Sequence, residues 1–151
     1  MNDRPFTVLM AEDDEHDIIA TQRAWEKNHI SNPLHVVRDG EECLDFLHQR
    51  QKYAEPGAAP RPGILLLDLK MPKMDGLAVL KHIKQDEGLR RLPVVILTTS
   101  KAEEDRLRSY DLGANAFIVK PVGFESLSEA VKTLNLFWQI VELPGGYLEN
   151  R

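Results

Sequence analysis

Residues 63–76, "GILLLDLKMPKMDG", decide the fold. Ile64, Leu65, Leu66 and Leu67 form an unbroken apolar run of strand length, the pattern of a strand buried on both faces of a sheet. The run ends on Asp68, and a carboxylate in that place is costly unless something compensates its charge. The reason for that aspartate has to come from the rest of the chain.

On both sides of this strand, short apolar runs alternate with amphipathic stretches of helical length. "FTVLMA" (6–11) is predicted as a strand, followed by a helix over about 15–29 that turns Ile18, Ile19, Trp25 and Ile30 toward the core. "LHVVR" (34–38) is a shorter strand nearer an edge, and Asp39-Gly40 is expected to turn the chain into a second helix, "EECLDFLHQR" (41–50), with Cys43, Leu44 and Leu47 inward. Three prolines and two glycines in "YAEPGAAPRPG" (53–63) mark a loop. After the strand at 63–68 come a helix in "GLAVLKHIK" (76–84), a strand in "LPVVILT" (92–98) and a helix in "KAEEDRLRSYDL" (101–112) ended by Gly113. "AFIVK" (116–120) is the fifth strand, and "ESLSEAVKTLNLFWQIVEL" (125–143) is a long last helix with Leu127, Val131, Leu134 and Trp138 toward the sheet. Five strands and five helices in strict alternation predict an α/β fold, the flavodoxin-like doubly wound parallel sheet with strand order 2-1-3-4-5. One domain is expected over 1–143, with 144–151 a tail that has no room for a DNA-binding module.

Composition excludes several functions. The net charge is −5, and the 19 Lys and Arg are scattered among 24 Asp and Glu, so no basic face is available for a polyanion and nucleic acid is not an expected partner. A single cysteine, Cys43, excludes an internal disulfide and a multi-cysteine zinc site. "MNDRPF" lacks the apolar stretch of a signal peptide and no membrane-length apolar segment occurs, which points to the cytoplasm. His16, His29, His35, His48 and His82 lack the i,i+4 pairing of helical zinc ligands and are expected to be solvated or capping.

Topology then gives Asp68 a setting. Ligands of an open parallel sheet gather outside the carboxyl ends of its strands. Glu12, Asp13 and Asp14 leave strand one there, Asp68 leaves strand three, Thr98 and Thr99 leave strand four, and Lys120 leaves strand five. Close carboxylates repel one another and call for a cation; oxygen ligands in this number suit Mg²⁺. With the repulsion cancelled, Asp68 becomes a plausible nucleophile toward phosphorus, with Thr98 and Lys120 holding the remaining phosphoryl oxygens. Lys120-Pro121 is also a bond at which the cis form is accessible.

"AEDDEHD", "LLLDLKMPKMDG", "VVILTTS" and "AFIVKP", in this order and spacing, resemble the receiver domain of bacterial two-component response regulators over roughly residues 5–140. The resemblance implies phosphorylation of Asp68 by a histidine kinase. It implies Mg²⁺ held by Asp13, Asp68 and the backbone carbonyl of Lys70, with Glu12 acting through water. It also implies switching relayed by Thr98 and Lys120, with Phe117 in the place of the strand-five aromatic that turns inward on activation. The proline-rich loop and the "LFWQIVELPGGYLENR" ending are similar to those of single-domain regulators that accompany phytochrome kinases. Excess apolar residues on the last helix, Phe137, Ile140 and Val141, together with Leu107 and Tyr110, imply a homodimer through helix four, strand five and helix five.

Lys70 stands two residues past Asp68, where many receivers carry a smaller polar group, and slow self-dephosphorylation is expected from it. The same lysine counts against a haloacid-dehalogenase-type phosphatase, which needs an aspartate there as general acid. Signalling, not turnover, is the expected activity.

Overall fold

The computed structural model describes residues 5–140. Strands β1 (Thr7–Ala11), β2 (Leu34–Val37), β3 (Pro62–Leu67), β4 (Val94–Thr98) and β5 (Ala116–Val119) alternate with helices α1 (Glu15–Lys27), α2 (Gly40–His48), α3 (Gly76–Gln85), α4 (Glu103–Asp111) and α5 (Phe124–Ile140). All pairings are parallel and the order is β2-β1-β3-β4-β5, as the alternation predicted. β1, β3 and β4 are buried along their whole length, while β2 and β5 at the edges are half exposed.

The unbroken apolar run in β3 now has its explanation. Successive side chains point to opposite faces. Leu65 and Leu67 join Leu9, Ala11 and Ile96 under α2 and α3, with Leu44, Phe46, Leu80 and Ile83. Ile64 and Leu66 join Val8, Met10 and Val95 under α1 and α5, with Trp25, Leu127, Val131, Leu134 and Trp138. Each fully buried Leu or Ile contributes about 1.5–3 kcal/mol by leaving water, so both faces need covering and neither can carry a polar alternation.

Asn32 closes one end of the α1–α5 layer. Its side-chain amide donates to the Phe6 carbonyl at 2.9 Å, its carbonyl groups accept from the indole N–H of Trp25 at 2.7 Å and of Trp138 at 3.2 Å, and the two indoles lie 5.6 Å apart.

Local differences from expectation have local causes. Ile19 is 45% exposed because the buried stripe of α1 runs through Ile18, Thr21, Ala24 and Trp25, about 100° away from it. Asp39-Gly40 is a helix start: the Asp39 carboxylate accepts the Glu42 N–H at 2.8 Å and Gly40 is the first residue of α2. Asp75-Gly76 repeats the device, with Asp75 accepting the Ala78 N–H at 2.9 Å. The loop after α2 begins with a single 3₁₀ turn at Gln51–Tyr53. No peptide bond among the described residues is cis, so Lys120 reaches its neighbours through a trans bond to Pro121. No described helix is long and apolar enough to cross a membrane.

Candidate functional site

Sheet register assembles the site. Ala11 pairs with Leu67, and the Asp68 N–H donates to the Ala11 carbonyl at 3.1 Å, which sets Glu12 and Asp68 side by side as the chain leaves β1 and β3. Thr98 pairs with Val119, and the Lys120 N–H donates to the Thr98 carbonyl at 2.7 Å, which ties the ends of β4 and β5. Glu12, Asp68 and Thr98 are buried, and the Lys120 side chain is 7% exposed.

Two glycines let the segment after β3 lie this close. A Cβ on Gly76 would fall 2.2 Å from the Asp68 carbonyl oxygen, and one on Gly40 would fall 2.1 Å from the Met74 carbonyl oxygen. Residues 68–75 are therefore pressed between the first turns of α2 and α3.

Lys120 is the electrostatic centre. Its ammonium donates to Asp17 at 2.8 Å, to Asp68 at 3.0 Å and, through a short bond, to Glu12. Burial disfavours its charge, but its bonds to Asp17 and Glu12 and the charge of Asp68 outweigh burial and raise its pKa. Burial pushes Glu12 up to about 7, with Lys120 opposing and the charge of Asp68 adding. Asp68 goes the other way: burial works against its charge, but the Thr98 hydroxyl and the Lys120 ammonium hold it below the usual carboxylate range. The pair thus keeps its negative charge on Asp68, the form a nucleophile needs.

Glu12, Asp13 and Asp68 offer carboxylate oxygens within 4.8 Å of one another, Asp13 from the exposed rim. Opposite ligands of a Mg²⁺ ion stand about 4.2 Å apart. A hard divalent cation therefore fits with little closure, and the exposed side leaves room for its waters.

The other candidates fall into place around this centre. Asp14 belongs to the N-cap of α1, accepting from the N–H groups of His16 and Asp17. Thr99 is exposed, unlike Thr98. The Lys70 side chain is exposed, and its N–H makes a long 3.4 Å contact to Asp68. The Ser100 hydroxyl donates to Asp105 at 2.6 Å and is committed to the start of α4. Phe117 is partly buried against the α2/α3 core. Leu107, Tyr110 and Phe137 are exposed at 51%, 45% and 54%. The Ile140 side chain and Val141 lie outside the described residues.

Sequence reasoning missed Asp17. The signal was available: it lies one turn beyond Asp13 and Asp14 in the same acidic stretch, on the face of α1 that looks over the strand ends. His48 and His82 were also misjudged. They meet between α2 and α3, Nε2 to Nε2 at 2.9 Å, although they sit on different helices and share no sequence spacing.

Comparison with known proteins agrees with this arrangement. The response regulator Rcp1 of Synechocystis sp. is 38% identical over 141 residues, 93% of this chain and 94% of that protein. The phosphorylated cyanobacterial phytochrome response regulator RcpA superposes with a TM-score of 0.85 at 38% identity, covering 93% of this chain and 99% of the other. The Mn²⁺-bound form of Rcp1 gives the same TM-score and identity, covering 93% and 100%. Residues 8–132 match the profile of the response regulator receiver domain, and the chain belongs to that family, the response regulators of two-component signalling.

Proposed function

We propose that Asp68 accepts a phosphoryl group from a sensor histidine kinase and that the protein signals through contacts with other proteins. The observation that carries this is the ionised, buried Asp68 held against Lys120 and Thr98 beside two further carboxylates. In the transfer, an Asp68 carboxylate oxygen bonds to phosphorus as the P–N bond of the kinase phosphohistidine breaks, and the electron pair leaves with the imidazole. Lys120 meets one phosphoryl oxygen with its ammonium, and the Thr98 hydroxyl donates to another. Asp13, Asp68 and the Lys70 carbonyl would hold Mg²⁺, with Glu12 acting through water. The ion supplies positive charge that lets an anionic phosphoryl group approach an anionic site.

The partner follows from the relatives. A phytochrome response regulator is among the superposing structures, so a phytochrome-type kinase is the proposed donor. Acetyl phosphate labelling with and without Mg²⁺ tests the chemistry: wild type gains one base-labile phosphate and Asp68→Asn gains none. Labelling of Asp68→Asn, or labelling indifferent to divalent ions, would overturn the assignment. Switching is assigned to Thr98 and Phe117.

A homodimer through α4, β5 and α5 is part of the same reading. Leu107, Tyr110 and Phe137 are exposed along this face, and an apolar hollow of about 370 Å³ opens beside them, lined by Ala116, Ile118, Leu134 and Phe137 among others. Sedimentation with and without a phosphoryl mimic checks it: a monomer under both conditions removes the dimer.

A further inference from the structure

We infer that His48, His82 and Asp86 form a second metal site, for a borderline divalent ion of the zinc class, at the end of the molecule opposite Asp68. His48 ends α2, His82 lies in the last turn of α3 and Asp86 caps that helix. Both helices begin beside the strand ends that carry the acidic hollow, so their C-termini lie away from it.

The donor atoms already converge. His48 Nε2 is 2.9 Å from His82 Nε2 and 3.8 Å from Asp86 Oδ2, and one donor from each residue lies within 4.8 Å of the others. Tetrahedral zinc with bonds near 2.1 Å sets its ligands about 3.3–3.4 Å apart. The nitrogen pair has to open and the His48–Asp86 pair to close by only about half an ångström each, and His82 and Asp86 already lie within 4.8 Å of each other.

The supporting groups suit the role. The other oxygen of Asp86 accepts the Gly88 N–H at 2.8 Å, which orients the carboxylate and leaves Oδ2 toward His48. The imidazole planes cross at 85° and both histidines are only partly exposed, so three protein ligands would leave a fourth position for water. Two helix C-termini add partial negative charge, which favours a cation. Free of metal, the imidazoles share one hydrogen between their Nε2 atoms. On binding, the ring that carries it shifts its tautomer to Nδ1, so no net proton is released.

The test is long-range ¹H–¹⁵N NMR of the imidazoles in the full chain, with excess Mg²⁺ present and one equivalent of zinc added. The expected result is a tautomer-dependent shift confined to His48 and His82, with His16, His29 and His35 unmoved. Asp86→Ala, checked for fold by circular dichroism, should weaken zinc binding by more than about tenfold. His82→Gln should abolish the His48 response. The site is overturned if equimolar zinc is not retained, if zinc leaves these two imidazoles unmoved, or if Asp86→Ala binds as tightly as wild type.

Discussion

Gly76→Ala separates packing from helix propensity, because the two push in opposite directions. Gly76 is the first residue of α3, and alanine in a helix is ordinarily worth about 0.5–1 kcal/mol over glycine. Its added methyl would fall 2.2 Å from the Asp68 carbonyl oxygen and 2.7 Å from Leu69 Cα, where real contacts stay above 3.0 Å. The obstacle is backbone on both sides. It is fixed further by the Gly76 N–H, which donates to the Leu69 carbonyl at 2.8 Å. The segment must therefore move by roughly 1 Å, and overpacking of this kind costs about 1–3 kcal/mol. Packing outweighs propensity, with a net loss of about 1 kcal/mol and a Tm lower by about 2–4 °C.

The same displacement reaches the proposed phosphoacceptor. A 1 Å misplacement at a reacting group can cost about a hundredfold in rate, so acetyl phosphate labelling should slow by about tenfold to a hundredfold. Ala78→Gly, at an exposed position of the same helix, measures propensity alone and should cost about 0.5–1 kcal/mol without touching labelling. Urea denaturation and a labelling time course read both quantities. If Gly76→Ala were as stable as wild type and labelled at the same rate, the close approach of α3 to the Asp68 segment would not be a working constraint.

Three further outcomes follow. Asn32→Ala strands the buried Trp138 indole N–H and the Phe6 carbonyl, while Trp25 keeps its bond to the main-chain carbonyl of residue 32, and should cost about 2–4 kcal/mol in urea denaturation; a loss under 1 kcal/mol would mean that water replaces the amide. Glu42 opposes burial with bonds from Lys52 at 2.8 Å, Tyr53 at 2.6 Å and the Arg38 N–H at 2.8 Å, and these hold its pKa below the ordinary glutamate value. A depressed folded-state pKa gives stability that is full above the unfolded value and lost as pH falls through the folded one. Glu42→Gln should therefore cost about 1–2 kcal/mol at pH 7 and progressively less below the usual glutamate range; a pH-independent difference would contradict this. Lys70→Asn should shorten the lifetime of phosphorylated Asp68, since the exposed lysine stands beside the site, and equal decay curves would remove any shielding role.

What could be read from sequence was whatever depends on neighbours along the chain or on the handedness of the parallel sheet. Ile64–Leu67 demanded cover on both faces, and a doubly wound sheet has one edge at which Glu12, Asp68, Thr98 and Lys120 can emerge together. What could not be read depends on the rotation of one helix against another. Ile19 has the composition of a core residue and the wrong phase. His48 and His82 become partners only because α2 and α3 lie side by side with their last turns level. Asp39-Gly40 and Asp75-Gly76 are local signals whose turn-like composition hid a second use. An aspartate that caps a helix, followed by a glycine with no Cβ, is also what a loop needs to pass close beneath that helix.

The charge arrangement implies how a phosphoryl group on Asp68 would be felt elsewhere. In the unmodified protein the Lys120 ammonium is fully engaged by Glu12, Asp17 and Asp68, residues of β1, α1 and β3. A phosphoryl group on Asp68 brings new anionic oxygens within reach of the same three donors of that ammonium. Lys120 would meet them by exchanging its bond to Asp68 or by loosening its hold on Asp17 or Glu12. Its backbone N–H is bonded to the Thr98 carbonyl, so the residue that carries this ammonium sits at the junction of β4 and β5, beside the strand that bears Phe117. Competition for a single ammonium is the route by which phosphorylation of Asp68, as proposed, would reach β5 and the surface it shares with α4 and α5, with no contact needed between phosphate and that surface.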